Sequence, residues 1–105
     1  MRTAIAVHSN DTTAVHTFGE KIDINNCDAL AAQCGRYFSD DALLTIVFDL
    51  ENVRLIDSYG LKFLINSQRK AKAAGKRLVL YRPDAILKEM LATTKLSQLF
   101  NISDT

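Results

Sequence analysis

The chain has 105 residues, 48% apolar and 24% charged, with a net charge of +1 at pH 7. This is ordinary globular usage, and the length suits one domain that buries about two-thirds of its unfolded surface. No run of ~18 apolar residues is present to span a bilayer, and Met1 to Val7 is too short an apolar stretch for a secretory leader. The expectation is a single domain, residues 1–105, that is cytoplasmic and not inserted in a membrane. Cys27 and Cys34 lack the spacing of metal ligands, so no metal centre is expected, and nothing calls for a cofactor.

In chain order, Thr3 to Val7 and Thr13 to Phe18 flank the polar segment Ser9-Asn10-Asp11-Thr12, which predicts a hairpin. A helix follows, from Ile24 or Asn25 to Phe38, with Asp23 or Asn25 as cap. Its apolar stripe is Cys27, Leu30, Ala31, Cys34 and Phe38. The two cysteines lie roughly 10 Å apart along that axis, beyond the ~7 Å Cα separation a disulfide allows. They read as reduced core residues.

Leu44 to Phe48 is an apolar, β-branched strand, and Val53 to Ile56 repeats that character more briefly. Leu61, Leu64, Ile65, Gln68 and Ala71 then recur at helical spacing. Arg77 to Tyr81 is a strand. Pro83 fits the first turn of a last helix, with Asp84 complementing its dipole and Ile86, Leu87, Met90 and Leu91 facing inward. Strands separated by helices require parallel crossovers, while the opening hairpin adds an antiparallel element. The fold class is α/β, a mixed sheet packed with helices.

The junction Leu55-Ile56-Asp57-Ser58-Tyr59-Gly60-Leu61 runs from a strand through a turn directly into a helix. Asp57 and Ser58 therefore stand at a helix N-terminus, where amides are unpaired and the macrodipole is positive. Such a place tolerates an anion. A hydroxyl presented there is a candidate switch, and a cap is the simpler role for either residue.

Asp57-Ser58-Tyr59-Gly60-Leu61 resembles the phosphoacceptor loop of STAS domains of the anti-sigma factor antagonist type, whose pattern is Asp-Ser-Ser/Thr-Gly-Leu. Gly19-Glu20 with Asp23 resembles the Gly-Glu-Leu-Asp end of an early strand, with one extra residue. Ala74 to Leu80 is similar to a Gly-Gly-x-Leu-x-Leu turn and strand, and Leu87 to Phe100 to the closing helix and tail, with Lys95 where Gly is usual.

The resemblance implies a single STAS-like domain that works as a protein-binding switch and not as an enzyme. Ser58 would be the phosphorylated residue, and Asp23, Asp57, Ser58, Tyr59, Gly60, Lys62 and Phe63 the partner-binding set. The implied partner is an anti-sigma factor or serine kinase of the histidine-kinase-like ATPase fold. Unphosphorylated protein would bind it, phosphorylation would release it, and a metal-dependent serine phosphatase would reset the switch. The alternative is a non-phosphorylated STAS subunit docking onto an ABC-type lipid transporter ATPase. Lys62, in place of the small residue that often follows Gly-Leu, and the short segment after Phe100 keep that alternative in view.

Tyr59 and Phe63 lie one turn apart, roughly opposite the Leu61, Leu64 and Ile65 stripe. Tyr59 is expected as an exposed interface residue, Phe63 as core under a neighbouring helix. From Lys62 to Arg82 there are seven bases and no acid, whereas residues 1–60 hold nine acids against four bases. The bases read as a solvated face or as a steering surface for a protein. Without interleaved aromatics they do not read as a nucleic-acid site. Catalysis is not expected. Ser58 lacks a G-x-S-x-G elbow, and His8 and His16 are read as solvent-facing strand residues.

Overall fold

The computed structural model describes residues 12–104. The expected strand Thr3 to Val7 and the turn residues Ser9, Asn10 and Asp11 lie outside them. Strand β1 spans Thr13–Thr17, β2 Lys21–Ile22, β3 Thr45–Asp49, β4 Leu55–Ile56, β5 Arg77–Tyr81 and β6 Asn101–Ser103. The helices are α1 Cys27–Ser39, α2 Ser58–Ala73 and α3 Ala85–Thr93.

Among the described residues, four strands form one sheet in the order β1-β3-β5-β6, and β2 pairs with β4 in a second, two-stranded sheet. Every pairing among the described residues is parallel, with Val15 opposite Val47 and Val47 opposite Val79. Each step along the large sheet is a strand-helix-strand crossover, so α1, α2 and α3 connect neighbouring strands in one direction. Among the described residues, no helix is long and apolar enough to cross a membrane.

Central strands covered on both faces need continuous apolar runs, which Ile46-Val47-Phe48 and Leu78-Val79-Leu80 supply. Ile46, Phe48, Leu78 and Leu80 join the main core with Cys34 of α1, Leu64 of α2 and Leu91 of α3. Val47, Val79 and Tyr81 form a smaller cluster with Val15, as alternation along a strand requires. Phe48 is stacked on Phe63 with ring centroids 5.8 Å apart, and Phe18 meets Phe48 edge-on at 5.0 Å.

Several expectations shift. Helix α1 starts at Cys27, because Asp23, Asn25 and Asn26 are held in a turn: Asp23 Oδ1 accepts from the Asn25 amide and Asn26 Oδ1 from the Asp23 amide. The N-cap is Asn26, without a side-chain cap bond, in place of Asp23 or Asn25. Pro83 precedes α3, which Asp84 caps by accepting the Leu87 amide at 2.9 Å. Ile86, expected to face inward, is 67% exposed, whereas Leu87 and Leu91 are buried in the core and Met90 packs against it.

His16 is not solvent-facing. It is half-buried, its ring 4.6 Å from that of Phe18 and its Nδ1 2.9 Å from the Tyr37 hydroxyl oxygen. Burial, and then the nearby Arg36 charge, lower its pKa below the usual value.

The basic stretch is not one face. Lys76 Nζ donates to the Asp40 and Leu43 carbonyls, both at 2.7 Å, and Arg82 pairs with Glu51 at 3.5 Å.

Candidate functional site

The short sheet β2-β4 sets the site. Pairing Ile22 with Ile56 brings the chain after β2 beside the chain after β4, and both then turn into helices. Asp57, with φ −104° and ψ −173°, is the extended N-cap of α2. Its Oδ1 accepts the Gly60 amide at 2.8 Å, the bond a cap makes to the third helical residue. Its Oδ2 accepts the Ile24 amide at 3.0 Å, from the turn that follows β2. The Gly60 bond is the main reason the carboxyl titrates below its usual value; partial desolvation opposes it, and the Ile24 and Tyr59 amides each add a smaller lowering.

Because Asp57 caps the helix, Ser58 does not have to. Ser58 is the first residue of α2 and exposed, and its hydroxyl makes no hydrogen bond within the described residues. The hydroxyl therefore sits at the positive end of a 16-residue helix with its oxygen available to another molecule.

Gly60 is needed for space. A Cβ there would run into the Ile22 carbonyl oxygen and lie 2.7 Å from Ile56 Cγ1. Its absence lets α2 start against the β2-β4 pair. Gly60 is thus buried and shapes the site from beneath.

Asp23 lies in the β2-α1 turn, half-buried, with its carboxylate engaged by Asn25. The Ile24 to Asp57 bond brings that turn to the start of α2. Tyr59, 51% exposed, and Lys62, also exposed, continue outward along α2. Phe63, 6% exposed, belongs to the aromatic core, so little of it is open to a docking partner. The helix wheel alone turned it outward; in the fold its ring packs on Phe48 and Phe18.

Three exposed apolar residues near this end were not read as site residues from the sequence, and Ile86 was expected to face inward. Ile24 is 55% exposed, Leu55 precedes Asp57 by two residues, and Ile86 lines a small cleft together with Leu55. Leu55 is exposed because alternation in β4 turns its side chain away from the core while Ile56 packs against it.

A family model for the STAS domain matches residues 4–105. The fold is similar to SpoIIAA of Bacillus, an anti-sigma factor antagonist solved in unphosphorylated and phosphorylated forms. For the unphosphorylated form the TM-score is 0.72 at 18% identity, over 93% of this chain and 84% of that one. A candidate anti-sigma factor antagonist of Thermotoga maritima, TM1081, gives 0.77 at 21% identity, over 87% of this chain and 80% of that one. A sulfate transporter family protein from Wolinella succinogenes gives 0.76 at 15% identity, over 88% of this chain and 76% of that one. At such identities these likenesses speak to the fold. The match over residues 4–105 goes further: the chain belongs to the STAS domain family.

Proposed function

We propose that this protein is an anti-sigma factor antagonist, a binding switch set by phosphorylation of Ser58. The observation that carries the reading is the division of labour at α2: Asp57 caps the helix, and the exposed Ser58 hydroxyl is left without a partner in the described residues. The likeness to SpoIIAA, a protein solved in both phosphorylation states, supports it.

A phosphoserine adds about −1.5 to −2 charge and three acceptor oxygens. At the start of α2 the fold can accept this, because the helix dipole compensates by roughly 0.3–1 kcal/mol. At a docked interface the same charge would be desolvated. A penalty of about 2.7 kcal/mol there weakens binding roughly 100-fold. The fold changes little and the affinity changes much.

The partner surface in this reading comprises Asp23, Asp57, Ser58, Tyr59 and Lys62, with Gly60 and Phe63 supporting it from below. Ile24, Leu55 and Ile86 add apolar area. The partner is an anti-sigma factor or serine kinase of the histidine-kinase-like ATPase fold, and a metal-dependent phosphatase restores the binding form. The test is whether that kinase binds the unmodified chain and a Ser58→Asp variant fails to be retained.

The second reading is a constitutive subunit on an ABC-type lipid transporter ATPase; the likeness to a sulfate transporter family protein is compatible with a transport-linked role but does not favour it. In that case Ser58 stays unmodified and the chain copurifies with the transporter.

A further inference from the structure

The surface between α1 and α2 holds a groove of about 370 Å³, within the range that takes a small organic molecule. Its floor is apolar: Cys34 and Phe63 are buried, and Ala31 and Phe38 complete it. Burial pushes the Cys34 thiol up to about 11, so this floor carries no charge near neutral pH. Ser67 also lines the groove. It is only 3% exposed, yet its hydroxyl has no hydrogen-bond partner among the described residues. Mid-helix serines commonly bond back to the preceding turn, so an unpartnered one facing a groove asks for a partner from outside.

The rim supplies charge. Lys62, Asn66 and Lys70 fall at successive turns of α2, and neither lysine is in an ion pair among the described residues. Asp28 of α1 is the one acidic residue on the lining among the described residues. Two ammoniums against one carboxylate leave one positive charge, which suits a monoanion better than a phosphate dianion.

We propose that the α1-α2 groove is a binding site for a monocarboxylate with an apolar body. The head is held by Lys62 or Lys70, with Asn66 and the Ser67 hydroxyl completing its hydrogen bonds, while the body lies over Phe63 and Phe38. Tyr59, which also lines the groove, follows Ser58 directly, so an occupied groove adjoins the switch surface. The site does not depend on Ser58 being phosphorylated, and the two proposals fail separately.

The test is an amide-resolved NMR titration of the full chain with decanoate and with naphthoate, below their aggregation thresholds. The expected result is saturable shifts confined to α1 and the groove-facing side of α2, from Tyr59 to Lys70, for at least one of them. Affinity should fall about tenfold in a Lys62→Ala, Lys70→Ala double variant, and should also fall in Ser67→Ala. Both lysines are surface residues, so the double variant should keep its fold, which its spectrum reports directly. The proposal is overturned if neither carboxylate saturates, or if decyltrimethylammonium binds as tightly as decanoate. Binding of decyl phosphate alone, or affinity unmoved by the lysine changes, overturns it equally.

Discussion

Asp57 Oδ2 accepts the backbone amide of Ile24 at 3.0 Å, joining two segments 33 residues apart. The same carboxylate caps α2 through Gly60, so one side chain fixes both the start of the helix and the neighbouring turn that carries Asp23. The surface around Ser58 is therefore held from two sides.

Replacing Asp57 with Ala should lower the midpoint of thermal unfolding at neutral pH, because both amide bonds are lost. The folded carboxyl titrates below its unfolded value, so its contribution is present above the unfolded pKa of about 4. It is lost as pH falls through the folded pKa. The wild type and the variant should therefore converge in acid, which melting curves across pH would reveal.

Gly60→Ala places a methyl group against the Ile22 carbonyl oxygen and Ile56, in a region with no slack. Because backbone must move, the cost should be about 3 kcal/mol. Urea unfolding of the variant measures it; an unchanged midpoint would mean that β2 and α2 are not packed as described.

Lys95 adopts φ +62°, a left-handed conformation that glycine accepts without strain. Lys95→Gly should stabilise the protein by about 0.5–1 kcal/mol, the strain relieved less the extra freedom of the unfolded chain. Here the sequence departs from the usual Gly while the backbone keeps the glycine geometry.

His16 has a lowered pKa, so below about 6.5 the unfolded chain takes up a proton that the folded ring resists. Stability should decline as pH falls from about 6.5 toward the folded pKa, and His16→Gln should remove that part of the slope. Melting temperatures measured in steps between about pH 7.5 and pH 5.5 would test this.

The strand Arg77–Tyr81 and the helix opening at Ser58 were legible because their apolar patterns are dense and their ends are chemically marked. Strand β6 was not, since three residues become a strand only by pairing with distant β5. The start of α1 was misplaced because polar side chains compete locally with the helix at Asp23 and Asn26. The placement of Asp57, Ser58 and Tyr59 at the start of α2 was readable from the junction itself. The exposure of Ile24 and Ile86, the burial of His16 and the division of roles between Asp57 and Ser58 depend on tertiary contacts that no local pattern encodes.

The central claim is that Ser58 is the switch, and phosphosite mapping by mass spectrometry on protein from its native cells tests it most directly. One phosphoryl group on Ser58, absent from a Ser58→Ala variant, is the predicted result. A Ser58 that stays unmodified through growth and stress would contradict it, and would turn attention to constitutive docking on a transporter.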